Sequence, residues 1–242
     1  MDHSSPQFRS SGVGVLDKAA GILDALEPGP ASLAELVRRT GLARPTAYRL
    51  AAALESHRLV ARDVSGRFAL GPRLRELAAV GTPDRLLDAA NGVVSRLREV
   101  TGESAQLYRR DGDARRCVAA AEPTSGLRDT VPVGALLPLT AGSGAQVLLA
   151  WEPPEAVADL LASAAFSVHT LNLVRRRGWA ASVAEREAGV SSVAAPVRDA
   201  AGAVAAAVSV SGPLDRLSRS PGRRHAGAVL AAAAELTAAI RG

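Results

Sequence analysis

Three serine residues towards the C-terminal end are spaced so that their hydroxyl groups share one face of a β-sheet. Ser209 and Ser211 lie two residues apart in an apolar segment, and Ser192 lies in the preceding apolar segment. Alternate residues of a strand project to the same face. Hydroxyls grouped in this way can donate hydrogen bonds to one carboxylate, so these serines are candidate contacts for a small organic acid. Ordinary surface serines, or serines bonded to the backbone, are the alternative.

A second candidate anion site is the glycine-rich sequence 142–144, which leads into a predicted helix from Ala145 to Trp151. Free N–H groups at a helix start favour negative charge, so Ser143 and Gly144 are candidate effector contacts. A tight turn without a ligand explains the same residues, and the third glycine of a dinucleotide fingerprint is missing. Glu185 and Glu187 lie close to the predicted pocket, but a carboxylate would repel an anion, so a salt bridge within the loop is expected of them.

Basic and polar residues of another kind lie between residues 43 and 71. An apolar stripe is formed by Ala47, Leu50, Ala51 and Leu54. The residues that point away from it are candidate DNA contacts, because the N-terminal part of a recognition helix enters the major groove: Arg44, Thr46, Tyr48 and Arg49. Arg62 and Arg67 flank the tip of a predicted hairpin, from which they would reach phosphate or the minor groove.

The elements that position these basic residues form a helix-turn-helix followed by a wing. Ser32 and Glu35 have the spacing of a capping box at the start of the first helix. Gly41 provides the turn, and Pro45 is predicted at the first position of the second helix, where proline is tolerated. Two short apolar runs around Val64-Ser65-Gly66 then predict a hairpin, which directly after a recognition helix is a wing.

Charge supports a nucleic-acid partner. Residues 31–80 contain nine arginines and four acidic residues, and this excess of five equals the formal net charge of the whole chain, +5. A basic surface confined to one domain is the electrostatic footprint of nucleic-acid binding. A solvated basic surface on an arginine-rich protein is the alternative.

Catalysis, metal binding and membrane insertion have little support in the sequence. The four histidines are scattered without metal-site spacing, and no Gly-x-Ser-x-Gly nucleophile elbow occurs. Cys117 is the only cysteine and is predicted to be a buried strand residue. We therefore expect no catalytic residue, no metal site and no cofactor. Without a signal-like segment or an apolar run of about 20 residues, a cytoplasmic location and no membrane partner are expected.

The pattern of apolar residues predicts an α+β protein of four segments. From Glu103 the apolar period changes to two, which predicts an antiparallel sheet with helices packed on it, similar to a GAF or PAS sensor domain. The predicted segments are a disordered tail, a winged helix-turn-helix domain, a linker helix, and an effector-binding and oligomerisation domain: residues 1–12, 13–71, 72–83 and 84–242.

Two finer expectations concern packing and pairing. The first helix is predicted from Val13 to Leu26, with Leu16, Ala20, Leu23 and Leu26 on its packed side and with Ala19 or Ile22 facing a partner subunit. The segment from Leu127 to Val133 is predicted to be a strand.

The chain resembles the isocitrate-lyase-regulator (IclR) family from about Val13 to the C-terminus. Three motifs that follow the winged domain carry the resemblance: VGALLPL at 133–139, GVSSVAAPV at 189–197 and SVSGP at 209–213. Within the family, GVGVLDKA at 12–19 and TGESAQLYRR at 101–110 resemble an actinobacterial subgroup that controls leucine and related amino-acid biosynthesis genes.

The resemblance implies a transcriptional regulator that binds a pseudo-palindromic operator in double-stranded DNA. It implies a homodimer or a homotetramer, and a small-molecule effector, an organic acid or an amino-acid-pathway intermediate, at Ser192, Ser209 and Ser211. Family members commonly have a phosphate-binding serine at Pro45, so here Thr46 and its neighbours would carry more of the DNA contact. A metabolite-binding or protein-interaction module, with a winged domain used for dimerisation, is the alternative; a steep salt dependence of DNA binding separates the two.

Overall fold

A computed structural model describes residues 11–80 and 84–241. The predicted disordered tail therefore lies outside the described residues except for Ser11 and Gly12, and so do residues 81–83. The chain divides into two compact units, Met1–Pro83 and Asp84–Gly242. Each unit is described by itself.

The first unit contains the predicted helix-turn-helix, wing and linker helix. Its two short strands pair antiparallel. Its elements are α1 (Gly14–Asp24), α2 (Leu33–Thr40), α3 (Arg44–Ser56), β1 (Val60–Arg62), β2 (Phe68–Leu70) and α4 (Pro72–Val80).

Local hydrogen bonds explain why α2 and α3 meet at a tight turn. The Ser32 N–H donates to Glu35 Oε2 at 2.7 Å, and the Glu35 N–H donates to Ser32 Oγ at 3.3 Å, which confirms the capping box. The hydrogen bonds from Ser32 lower the pKa of Glu35. Gly41 ends α2 with φ of 67°, a conformation that glycine adopts without steric cost. Pro45 is the second residue of α3 rather than the first, because Arg44 is already helical.

The predicted packing side of the first helix is right for Leu23 and Leu26, which pack in or against the core, and wrong for Leu16 and Ala20. Leu16 is 59% exposed and Ala20 is exposed, whereas Ile22, predicted as a candidate for a partner contact, is fully buried. Ile22 and Leu26 pack in the core of the unit with α2, α3 and Phe68. The apolar residues of α1 lie on two adjacent stripes, so periodicity alone does not decide which stripe is buried.

The second unit is an α+β domain, as predicted. Its six strands form one antiparallel sheet in the order β5-β4-β3-β8-β7-β6. The elements are α5 (Arg85–Thr101), β3 (Ser104–Asp111), β4 (Ala114–Ala121), β5 (Leu136–Pro138), α6 (Ser143–Leu149), α7 (Pro154–Ala162), α8 (Val168–Arg177), β6 (Ala180–Val183), β7 (Val190–Arg198), β8 (Val204–Pro213), α9 (Leu214–Leu217) and α10 (Pro221–Arg241).

The sheet buries a different core on each face. Leu107 and Val208 face α5 and α10, together with Leu236 of α10. On the other face, Cys117 and Ala194 belong to a core shared with α6 and α8. Because alternate strand residues take opposite faces, the even-numbered residues of β3, which include Gln106 and Tyr108, lie on the α6 side.

The predicted strand from Leu127 to Val133 is wrong. Residues 122–135 form an irregular segment between β4 and β5, and the strand that pairs with β4 is Leu136–Pro138. Side chains hold this segment instead of a strand ladder: the Leu127 carbonyl accepts a hydrogen bond from Arg216 at 2.7 Å. Pro132 has no N–H to donate to a ladder.

Candidate functional site

The exposed face of α3 carries four of the six predicted DNA contacts. Arg44, Tyr48 and Arg49 are exposed and Thr46 is half-buried, while Ala47 on the opposite side is fully buried in the core. Within the described residues, neither Arg44 nor Arg49 forms an ion pair. Both guanidinium groups are therefore available for a polyanion.

The two wing arginines are already occupied within the first unit. Arg62 Nη1 donates to the Gly66 carbonyl at 3.1 Å, its Nε lies 3.3 Å from Glu55, and its guanidinium stacks 4.1 Å from the Phe68 ring centre. Arg67 donates to the Pro30 carbonyl and lies 3.4 Å from Glu35. Exposed ion pairs contribute about 0–1 kcal/mol, so DNA can compete for these side chains, but only after replacing a partner.

All five predicted effector contacts line one cavity on the α6 side of the sheet. They are Ser143, Gly144, Ser192, Ser209 and Ser211. The cavity contains about 340 Å³ of space that is not filled by protein atoms, part of which is open to solvent.

The serine hydroxyls differ in how they are bonded. Ser192 Oγ lies 2.7 Å from Ser143 Oγ and 2.9 Å from Ser182 Oγ, so it is the centre of a three-hydroxyl cluster. Ser211 Oγ accepts from the buried Gln106 amide at 2.9 Å and lies 3.1 Å from its carbonyl oxygen. Among the described residues Ser209 has no such side-chain partner, which makes it the most available hydroxyl of the cavity.

Two backbone N–H groups at the start of α6 are already bonded within the chain. The Gly142 N–H donates to Glu185 Oε2 at 2.9 Å, and the Ser143 N–H donates to Ser192 Oγ at 3.4 Å. Glu185 also accepts from the Gln146 amide at 2.8 Å. Burial raises the pKa of Glu185, and the Gly142 hydrogen bond partly offsets that effect. Glu185 is therefore a structural acceptor rather than the salt-bridge residue that was predicted.

Arg115, the most buried charge of the cavity, was not among the predicted contacts. This residue is 3% exposed, and its Nη1 donates to the Pro138 carbonyl and, at 2.8 Å, to the Ala141 carbonyl. Its buried Nε has no hydrogen-bond partner in the described part of the chain. Burial lowers the pKa of Arg115. A signal was present in the sequence, because Arg115 has the same parity in its strand as the buried Cys117.

Asp129 and Arg186 form an ion pair in the wall of the same cavity. Asp129 Oδ1 lies 2.6 Å from Arg186 Nη2, and Asp129 is 6% exposed. Burial by itself would lower the pKa of Arg186, but the hydrogen bond and charge of Asp129 raise it overall. Arg186 also pairs with Glu187, which is the loop salt bridge expected of that residue. No local sequence pattern predicts that residues 57 positions apart meet.

The remaining candidate chemistry is limited. Cys117 is fully buried, as predicted, and burial raises its pKa to about 11, which keeps the thiol protonated. Within residues 11–80 and 84–241, no group of His, Cys, Asp or Glu is arranged to hold a metal ion. No helix in that part of the chain is long and apolar enough to cross a membrane.

Two family sequence models match the two units. The IclR helix-turn-helix domain matches residues 15–64, and the bacterial transcriptional regulator IclR C-terminal domain matches residues 82–238. The chain is 32% identical to the HTH-type transcriptional regulator BhcR of Paracoccus denitrificans over 94% of this chain and 88% of that protein. It is 30% identical to the glycerol operon regulatory protein of Streptomyces coelicolor over 93% and 91% of the two chains.

Solved structures agree with these matches. The IclR transcriptional regulator from Alicyclobacillus acidocaldarius superposes with a TM-score of 0.77 at 26% identity, covering 94% of this chain and 98% of that chain. An IclR homolog from Microbacterium hydrocarbonoxydans, complexed with 4-hydroxybenzoate, shares the fold with a TM-score of 0.79 at 23% identity, covering 93% and 98%. The matched family and these relatives are transcriptional regulators, not enzymes.

Proposed function

Because this chain belongs to the IclR family of bacterial transcriptional regulators, we propose that it binds its operator through α3 and responds to a small carboxylate in the α6 cavity. The observation that supports the ligand class is Arg115, whose buried Nε has no partner. Buried charges are normally paired, and a carboxylate matches the planar donor geometry of a guanidinium.

On the DNA side, the proposed contacts are Arg44, Thr46, Tyr48 and Arg49, because they share the exposed face of α3. Pro45 cannot donate a hydrogen bond to phosphate, which leaves its neighbours as the donors of the first helical turn. A dimer, or a pair of dimers, would present recognition helices about one helical turn apart on a pseudo-palindromic operator. This activity belongs in the cytoplasm, where the DNA is.

On the ligand side, Ser209 supplies a hydroxyl and Arg115 supplies a positive charge to the same cavity. In the same fold, the protein from Microbacterium hydrocarbonoxydans binds 4-hydroxybenzoate, which is itself a carboxylic acid. An effector changes operator affinity only when it binds the DNA-bound and DNA-free forms differently. Its identity therefore needs a functional assay.

The proposed targets are leucine and related amino-acid biosynthesis genes. The sequences at 12–19 and 101–110 support this assignment by their resemblance to that subgroup. Among the curated relatives, the name of the Streptomyces coelicolor protein refers to a glycerol operon. Relatives of this family thus serve different pathways, and the target genes are decided by experiment.

A DNA-binding titration tests the proposal. The full-length protein is titrated against its own upstream region and a leucine-biosynthesis promoter, with and without 2-isopropylmalate. We expect a specific complex that competitor DNA does not remove and whose affinity the acid changes at least about fivefold, a typical coupling. No specific complex on either fragment, even at low salt, would contradict the operator proposal.

Variants separate the ligand site from the DNA site. Replacement of both Ser209 and Ser211 by alanine should abolish the response to the acid and leave operator affinity unchanged. Ser163→Ala removes a hydroxyl from an exposed helix end and serves as the control. If the double variant still responds fully to the acid, these serines are not part of the ligand site.

A further inference from the structure

The irregular segment 122–135 is held firmly over the cavity. At its C-terminal end the Cys117 N–H donates to the Ala135 carbonyl at 2.9 Å, and the Gly134 N–H donates to the Cys117 carbonyl at 2.8 Å. In its middle the Leu127 carbonyl is bonded by Arg216 at 2.7 Å. The backbone that carries Asp129 is therefore fixed on both sides of this residue.

Asp129 points inward from this segment. It is 6% exposed, and it is the one acidic residue among those that line the cavity in the described chain. Its carboxylate contacts Arg186 at 2.6 Å, and Arg186 is bonded on its other side to the exposed carboxylate of Glu187. One guanidinium of the cavity is thus already bonded to a carboxylate of the chain itself.

An acid that binds in the cavity shares its lining with Asp129. Asp129, Arg186 and Ser209 all line this one cavity, and the Asp129 carboxylate lies 2.6 Å from Arg186. Two negative charges in one buried site repel each other strongly. An acid must therefore either displace the Asp129 carboxylate or bind against its charge.

We propose that Asp129 is an internal competitor of the effector, a carboxylate of the protein that occupies Arg186 and sets the affinity of the cavity for external carboxylates. This inference rests on the proposed carboxylate site. The entering acid takes the place of the Asp129 carboxylate on Arg186, and the Asp129 side chain turns away while its backbone stays held. Asp129 is thus a specificity-determining residue, because it disfavours the binding of monoanions that cannot displace it from Arg186.

The probe for the test is acetate, a small monocarboxylate. Binding of sodium acetate to the full-length protein is measured by ligand-observed NMR and by thermal shift, with sodium chloride at equal ionic strength as the reference. We expect Asp129→Asn to lower the acetate dissociation constant by at least about tenfold relative to the wild type. Asp129→Ala should lower the dissociation constant in the same way. It is included because the amide oxygen of an asparagine at this position can still accept a hydrogen bond from Arg186.

Glu187→Gln is the matched control. It removes a carboxylate from the same guanidinium and changes the net charge equally, but Glu187 is exposed and does not line the cavity. Its acetate affinity should equal that of the wild type. Adding Arg186→Gln to Asp129→Asn should remove the gained affinity. Arg186 keeps one of its two carboxylate partners in each single variant, so these variants should fold, and circular dichroism checks this.

The inference is overturned if Asp129→Asn and Asp129→Ala bind acetate no more tightly than the wild type, or if Glu187→Gln gains as much. These titrations contain no DNA, so they are independent of the operator assay. A regulator that responds to an acid while both variants show no gain would retain the proposed function and lose the competitor. A gain in acetate affinity without operator binding would retain the competitor and contradict the proposed operator binding.

Discussion

Replacement of Arg49 by alanine should weaken operator binding much more than replacement of Arg67, although both are predicted DNA contacts. Arg49 lies exposed on α3 and has no ion pair among the described residues. Arg67 is bonded to the Pro30 carbonyl and to Glu35. The two variants remove the same charge, so the difference between them reports what each guanidinium does when DNA is absent.

The expected magnitudes follow from these contacts. An arginine that hydrogen-bonds a base edge contributes about 1–3 kcal/mol of discrimination, and one that contacts phosphate contributes about 0.9 to the slope of log K against log salt. Arg67 must first leave an exposed ion pair worth about 0–1 kcal/mol, which subtracts from its gain on DNA. We therefore expect a loss of about 1–3 kcal/mol for Arg49→Ala and below about 1 kcal/mol for Arg67→Ala.

The assay is fluorescence anisotropy with an operator duplex and a scrambled duplex over a series of salt concentrations. The control is Arg223→Ala, which removes one exposed arginine from the second unit. If Arg49 reads a base, its variant loses affinity for the operator but not for the scrambled duplex. If it contacts phosphate, both affinities fall and the salt slope decreases by about 1.

Two results would refute this reasoning. If Arg67→Ala loses as much operator affinity as Arg49→Ala, the ion pair of Arg67 does not limit its contribution to DNA binding. An equal loss in Arg223→Ala would mean that net charge, rather than the face of α3, sets the affinity. Circular dichroism of each variant checks that the helix-turn-helix is intact.

Two stability predictions concern the second unit. Burial raises the pKa of Glu185 above its usual 4.5, so its contribution to stability is full below that value and is lost as the pH rises through the raised pKa. In urea unfolding, the stability of Glu185→Gln relative to the wild type should therefore increase by roughly 1 kcal/mol or less between acid and neutral pH. A stability difference that stays constant with pH would contradict this. Gly212→Ala should lose about 1–3 kcal/mol, because the added Cβ would overlap Glu103 and lie 2.9 Å from Leu217 Cδ1. In Gly227→Ala, where the added Cβ contacts nothing, stability should stay equal or rise.

The DNA-binding unit was predictable because its signals are local. The capping box of Ser32 and Glu35, the turn at Gly41 and the hairpin are each set by residues a few positions apart. The buried stripe of α1 was not predictable, because two apolar stripes compete and only the tertiary core selects Ile22. The same limit explains the wrong strand from Leu127 to Val133, whose conformation depends on Arg216, 89 residues away.

The serines of the effector cavity were predicted from the sequence, but its charged residues were not. Strand alternation brings Ser192, Ser209 and Ser211 to one cavity, as the sequence suggested. The Asp129–Arg186 pair was missed because its formation depends on long-range topology. Asp129 comes from an irregular segment and Arg186 from the loop before β7, and no periodicity connects them.

The glycine-rich start of α6 contributes to the cavity for a reason other than the one the sequence suggested. A Cβ at Gly142 would lie 3.1 Å from Arg115 Nη2, and one at Gly144 would lie 3.2 Å from the Tyr108 ring and 3.6 Å from Arg115 Nε. Gly142 also has φ of 94°, which a residue with a side chain rarely adopts. These glycines therefore make room for a buried guanidinium. In the proposed site the charges that attract an acid are those of Arg115 and Arg186, while the N–H groups of Gly142 and Ser143 are bonded to Glu185 and Ser192.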